Sequence, residues 1–342
     1  MNAPKLKDSD YIQFLIAAQR VYTCTEAARC AVTASHDAYT RLLTRLPPDT
    51  EALWQEVEPL VGRTHGLLVI DDSTLDKPHA QKMGLVTRHW SGKHHAVVQG
   101  INLTTLLWTD GLSSFPCDCR LYEPAEEGNA QVTKNDHFVS MLQTAKERQF
   151  RPRYVCFDGW YASLANLKAV RGHGWHFLTR LKHNRQVDPD DTGNVAVEDI
   201  DIPAHGRRVH LKGYGFIEVF RIVSLNGGTE QRETEHEKAE YWATSDLTMI
   251  EMTRSELARQ VFAIENYHRQ LKQCCGAERA QVRSAKAQKC HILLSVRAFV
   301  RLEAHRLRTG ISGYAAKANL IREAIRLYLQ EMTINLVPTA LS

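Results

Sequence analysis

The chain has no apolar run of the roughly 18–20 residues needed to cross a bilayer as a helix. Its opening residues, MNAPKLKDSD, are polar and hold none of the apolar stretch of a secretory signal. None of its eight cysteines stands in a CxxC pair; they occur singly, as Cys117-x-Cys119, and as the adjacent Cys274-Cys275. That spacing indicates neither a zinc ribbon nor a disulfide framework. Internal repeats and low-complexity tracts are also absent. Charge of one sign does not dominate: a net +4 over 342 residues is too mild, taken alone, to argue for nucleic acid. These absences leave a globular chain with reduced, packing cysteines and no membrane partner, expected in the cytoplasm.

The distribution of charge is more informative than its sum. Between 269 and 308 stand Arg269, Lys272, Arg279, Arg283, Lys286, Lys289, Arg297, Arg301, Arg306 and Arg308, opposed only by Glu278 and Glu303. So basic a stretch suits a phosphate backbone, although a solvated helical surface has the same composition.

Residues 11–46 read as helical. Thr23-Cys24-Thr25-Glu26 has the form of a capping box, and Ser35 that of an N-cap. The helix that follows would expose His36, Asp37, Tyr39, Thr40 and Arg41. Short helix, tight turn and second helix make a helix-turn-helix, whose second helix enters a major groove; an ordinary helical hairpin is the alternative. Leu46-Pro47-Pro48-Asp49 marks a boundary region.

Gly66-Leu67-Leu68-Val69-Ile70 is an apolar run of strand length that ends in two aspartates. Residues 95–109 read as one or two β-rich runs, and 134–148 as a helix. A second buried-strand run, Arg153-Tyr154-Val155-Cys156-Phe157, ends in Asp158-Gly159. Residues 183–240 change character, being rich in Gly, Asp, Pro and charged residues around β-type runs, and read as a β-rich insertion. Tyr241-Trp242-Ala243-Thr244-Ser245 returns to a strand. From Thr253 to Cys274 the chain is strongly helical, with Leu257, Val261, Ile264 and Leu271 as its buried stripe.

Carboxylates at strand ends and on a covering helix can converge. Asp71 or Asp72, Asp158 and Glu265 are the candidates. Three such oxygen ligands suit Mg²⁺, with Mn²⁺ as a substitute, and two ions held this way drive phosphoryl transfer. Each carboxylate also has an ordinary use: a turn start, a turn dipeptide, a helix surface. Lys272 lies two helical turns beyond Glu265 and Arg269 about one, so all three share a face. That would set a metal ligand beside cations for the phosphates it acts on.

Ile264-Glu265-Asn266-Tyr267-His268-Arg269-Gln270-Leu271-Lys272, followed by Gly276-Ala277-Glu278-Arg279, resembles the third-carboxylate helix of DDE transposases. The likeness is to bacterial cut-and-paste insertion sequences with a Tyr-Arg-Glu-Lys signature. Val155-Cys156-Phe157-Asp158 resembles the strand with their second aspartate. Val69-Ile70-Asp71-Asp72-Ser73 resembles the first, in an Asp-x-Ser form that selects Asp71; Asp72-Ser73-Thr74 is the other reading. The signature's Tyr and Arg fall here on Ala258 and Val261, with Arg259 or Tyr267 as substitutes.

The resemblance covers about residues 60–310. It implies an α/β (α+β) fold: a ribonuclease H-like mixed sheet flanked by helices, with a β-rich insertion and an N-terminal helical DNA-binding unit. The expected division is 1–60 helix-turn-helix-like, 61–182 first part of the core, 183–240 insertion, 241–310 remainder with Glu265, and 311–342 C-terminal helices. The implied activity is Mg²⁺-dependent strand cleavage at element ends, then transfer of the freed 3′-OH into target DNA. The partners are double-stranded DNA and a second copy of the chain, in the bacterial cytoplasm at the nucleoid. A nuclease without strand transfer and a non-catalytic DNA-binding derivative are the alternatives. Expected DNA contacts are Lys272, Arg269, Arg259, Arg279, Arg283, Lys286, Lys93 and Arg41. His89, His94 and His95 around Lys93 read as a phosphate-touching loop sooner than as zinc ligands. Trp242 reads as core packing, with base stacking as the alternative.

Overall fold

Strand-forming runs of Val, Ile, Leu and Phe pair into one large sheet, and amphipathic runs become the helices that cover it. The computed structural model describes residues 6–31, 34–91, 95–124, 131–223 and 239–331. The strands are β1 (Leu67–Asp76), β2 (Thr87–Ser91), β3 (Ala96–Thr109), β4 (Ser114–Leu121), β5 (Tyr154–Phe157), β6 (His176–Leu181), β7 (Gln186–Val187), β8 (Val195–Ala196), β9 (Arg207–Leu211), β10 (Gly215–Val223) and β11 (Ala239–Thr244). The helices are α1 (Asp8–Ala17), α2 (Cys24–Cys30), α3 (His36–Arg45), α4 (Glu51–Val57), α5 (Lys134–Glu147), α6 (Leu164–Gly172), α7 (Glu251–Val261), α8 (Ala263–Cys274), α9 (Ala285–Thr309) and α10 (Gly313–Glu331). None of the described helices is long and apolar enough to cross a membrane.

The chain divides into two compact units, Asp49–His268 and a second made of Met1–Pro48 with Arg269–Ser342. The boundary falls within α8. This differs from a division in chain order, because the first and last segments belong to one unit.

In Asp49–His268 the sheet is mixed. β1 pairs antiparallel with β3 and parallel with β5, β5 parallel with β6, and β4 antiparallel with β3. The order β4-β3-β1-β5-β6, with only β3 reversed, is that of a ribonuclease H-like core. β11, β10 and β9 continue the sheet beyond β6, each antiparallel to its neighbour. The β-rich stretch after residue 183 therefore joins the central sheet through β9 and β10; residues 224–238 within it lie outside the described residues. Phe138 of α5 packs on Phe157 and Tyr161 at ring-centre distances of 5.0 and 5.4 Å. Removing a ring of this kind, as in Phe138→Ala, costs about 3–5 kcal/mol.

Two local expectations are corrected here. β1 does not end at the aspartates but runs through them to Asp76, because β3 continues to pair with it after β5 has stopped at Phe157. The helical run over 253–274 is broken at Phe262, which turns the chain between α7 and α8. Leu257, Ile264 and Leu271 are buried as expected, whereas Val261 beside the break is only partly covered.

In the other unit, α1 and α3 pack on the long helix α9. Tyr11 Oη lies 3.0 Å from His291 Nδ1, and His291 Nε2 lies 3.0 Å from the Gly276 carbonyl. The carbonyl only accepts, so Nε2 carries the proton and Nδ1 accepts the tyrosine hydroxyl. Lys317 of α10 is buried and donates to the carbonyls of Ile16 at 2.9 Å and Cys274 at 2.8 Å. Its ammonium thereby satisfies carbonyls left over where α1 and α8 end.

Two helices, α2 and α3, stand where a short helix and a second helix are expected. Thr23 and Ser35 cap the two helices by accepting from Glu26 N and Ala38 N. The carboxylate of Glu26 faces Arg29. Val32 and Thr33, between the two helices, lie outside the described residues. Tyr39, expected on the exposed face, is buried at 4% exposure against Tyr11, because α3 presents that side to the core. His36, Asp37, Thr40 and Arg41 are exposed.

Candidate carboxylate site

Alternation along β1 sends Asp71 and Asp72 to opposite faces of the sheet. Asp71 lies opposite Thr105 of β3, and Asp72 opposite Thr104. The two environments are built from different elements.

On the Asp71 face lies α8. Thr105 Oγ1 is 3.5 Å from Tyr267 Oη, and His268 Nδ1 is 3.8 Å from Asp71 Oδ2. The Asp71 side chain keeps 28% exposure. Burial first, then the negative charges of Asp72, Asp158 and Glu265, push its carboxyl well above the usual carboxylate range. Asp71 thus lies close enough to Asp158 and to Glu265 to feel the charge of each. Among the described residues, no three His, Cys, Asp or Glu side chains are gathered tightly enough to form a ready cage for an ion.

On the Asp72 face the carboxylate is saturated. Lys134 Nζ donates to Oδ2 at 2.7 Å, Tyr161 Oη donates to Oδ1 at 2.9 Å, and Asn102 Nδ2 also donates to Oδ2. Burial alone would raise this carboxyl; the Lys134 charge and the three hydrogen bonds outweigh it and bring it below its ordinary value. Asp72 therefore ties together β1, β3, the start of α5 and the turn after β5. None of Asn102, Lys134 or Tyr161 was singled out from sequence. An amide set between Ile101 and Leu103 in the apolar half of β3 is the signal that points to Asn102, since a buried amide needs a partner.

Asp158 follows β5 and opens a tight turn. Trp160 N donates to Asp158 Oδ1 at 2.9 Å, and Tyr161 N to its carbonyl at 3.1 Å. Burial, and after it the Asp72 charge, raise the Asp158 carboxyl, while these amides and Arg180 oppose the rise. Gly159 is needed in this turn: a Cβ there would sit 2.9 Å from the Arg180 carbonyl oxygen.

Glu265 is exposed in the first turn of α8. Farther along that helix, Arg269 is exposed, whereas Lys272 Nζ pairs with Glu278 Oε1 at 3.2 Å. Arg259, Arg279, Arg283, Lys286 and Arg41 are exposed, and Lys93 and His94 lie outside the described residues. Part of the basic stretch has internal partners: Arg297 pairs with Asp8 at 2.7 Å, and Arg306 with Glu303 at 2.7 Å. Trp242 is buried beneath Arg180 and Arg254, at 5.1 and 5.7 Å from its ring centre, which removes it from base stacking. All eight cysteines are free thiols, six of them buried.

The family described as "Transposase DDE domain" matches residues 62–301. No curated protein matches the chain in sequence. Among solved structures, it is similar to the piggyBac transposase synaptic complex with hairpin DNA, determined by cryo-EM. That likeness has 9% identity and a TM-score of 0.49, over 100% of this chain and 79% of that one. It is also similar to the Drosophila P element transposase strand transfer complex, at 11% identity and a TM-score of 0.18, over 57% and 41%.

Proposed function

We propose that this chain, which belongs to the DDE transposase family, binds the ends of an insertion sequence, cleaves them, and joins the 3′-OH ends to target DNA. The observation that carries the proposal is geometric: Asp71 and Asp158 each follow the paired Ile70 and Phe157 of the neighbouring parallel strands β1 and β5, and Glu265 stands on α8, whose His268 lies 3.8 Å from Asp71. Asp71, whose charged form is disfavoured by burial and by neighbouring carboxylates, is suited to a divalent cation, which neutralises that charge. The donor set is all hard oxygen, which suits Mg²⁺, with Mn²⁺ as substitute. Asp71, Asp158 and Glu265 are the residues to hold it. Bound there, such ions supply charge neutralisation and activation of the attacking oxygen in phosphoryl transfer.

The protein's own groups would divide the remaining work. His268 and Tyr267 set the Asp71 face against α8. Asp72, saturated by Lys134, Asn102 and Tyr161, fixes the turn that presents Asp158, so Asp71 is the first carboxylate and Asp72 its support. Exposed Arg269, Arg259, Arg279, Arg283, Lys286 and Arg41 are candidate phosphate contacts, and so are Lys272 once released from Glu278 and Lys93. The helices α2 and α3 are a candidate DNA reader. Two ends must be joined together, which requires a pair of chains on DNA, in the cytoplasm at the nucleoid.

The test uses purified protein and labelled duplexes carrying the DNA that flanks its gene. Cleavage that needs Mg²⁺ or Mn²⁺ and is abolished in Glu265→Gln, with DNA binding retained, is the expected result. Full cleavage by Glu265→Gln would sink the assignment. Pre-cut ends that fail to join to a target plasmid would reduce the reading to a nuclease.

A further inference from the structure

The carboxylate site repels the phosphates it would act on, so something nearby must attract them. Within Asp49–His268, Lys134 is engaged by Asp72, and His268 lies beside Asp71. Arg180 stands differently. Thr179 of β6 is level with Phe157 at the end of β5, which brings Arg180 level with Asp158. Thr179 Oγ1 donates to the Asp158 carbonyl at 3.2 Å, and Gly159 packs directly on the Arg180 backbone. The guanidinium charge reaches the Asp158 carboxyl.

The side chain is also held for use. It lies over the buried ring of Trp242, 5.1 Å from its centre. Glu240 Oε2 engages it through Nε at 3.3 Å and accepts Trp242 Nε1 at 3.1 Å. Half of the Arg180 side chain remains exposed, at 50%. A planar fork of donors, held from below by an aromatic ring and open above, matches two oxygens of a phosphate.

We infer that Arg180 receives a phosphate of the DNA strand held at the carboxylate site. The inference rests on the DNA-processing reading above. An ion pair with Glu240 that serves stability alone is the competing explanation.

The test compares wild type, Arg180→Ala and Arg180→Lys as full chains, on the same flanking-DNA duplexes in Mg²⁺. Cleavage is followed against salt concentration, with melting temperature measured in parallel. Arg180→Lys keeps the charge and the stem over Trp242, so it should melt like wild type yet cleave about tenfold more slowly, because a lysine lacks the fork. Arg180→Ala should fall further, and the slope of log binding against log salt should drop by about 1. Either variant cleaving within twofold of wild type overturns the inference and leaves the parent reading standing. A lower melting temperature with an unchanged rate per folded molecule overturns it in favour of the ion pair. No cleavage by wild type in Mg²⁺ or Mn²⁺ defeats the parent reading and this inference with it.

Discussion

Asp71 and Asp72 are consecutive residues of one strand, identical in chemistry, yet their carboxyls are driven in opposite directions. Asp71 faces α8 among other carboxylates, and its charged form is disfavoured. Asp72 faces α5 among a lysine, an amide and a phenol, and its charged form is held. The difference comes from one step of strand parity, which selects the element each side chain meets. Two carboxylates adjacent in sequence can therefore be distinct in energy.

The largest effect that tests this contrast is on activity. Asp71→Asn should lower cleavage of flanking-DNA duplexes by roughly 100-fold or more, the scale of losing one charged group that acts on the reacting centre. Its melting temperature should not fall. A stable, fully active Asp71→Asn protein would erase the distinction. Next in size is the stability of the other face. Asp72→Asn and Lys134→Met should each lower the unfolding free energy by about 2 kcal/mol in urea titrations, since each strands a mostly buried partner. The double variant should lose less than the sum, and additivity would show that the pair is not coupled.

The pH dependence should have opposite signs. The folded Asp71 carboxyl sits above its unfolded value, so its contribution is full below that value, about 3.9, and is lost as pH rises toward the folded one. Asp71→Asn should thus match wild type near pH 3 and exceed it near pH 7, in thermal melts with a chelator present. Asp72 is lowered, so its stabilisation is present above the unfolded value and lost as pH falls through the folded one. The deficit of Asp72→Asn should shrink in acid. Two parallel curves would break the comparison. The smallest effect is Tyr161→Phe, which removes one of the hydrogen bonds to Asp72 and should cost about 1 kcal/mol.

What sequence reading reached, and what it missed, follows the same contrast. Asp158 stands out in sequence because an apolar run of strand length stops at it, and Glu265 because it lies in a helical run with cations at one-turn and two-turn spacing. Those are local patterns. The continuation of β1 past Asp71 was hidden because Asp-Asp-Ser-Thr reads as a turn, and only pairing with the distant β3 keeps it extended. The bracing of Asp72 draws on residues 30, 62 and 89 positions away, which no window of sequence displays. Tyr39 misled for a related reason: its amphipathic helix shows two possible faces, and the choice is made by α1 and α9. The Lys272 expectation rested on helical spacing and on the resemblance to the transposase signature, neither of which reveals Glu278 beyond the end of that helix.

The unit assembled from both ends of the chain carries a consequence for synthesis. Tyr11 meets His291 across 280 residues, and Lys317 reaches the Ile16 carbonyl 301 positions back along the chain. As the protein emerges, α1 and α3 must wait, with apolar faces uncovered, until α9 exists. Asp49–His268 is complete by then and can have condensed on its own. Closing so long a loop is slow. The order of the codons thus sets an order of maturation, in which the carboxylate-bearing sheet precedes the helical unit built from the two segments that flank it in sequence.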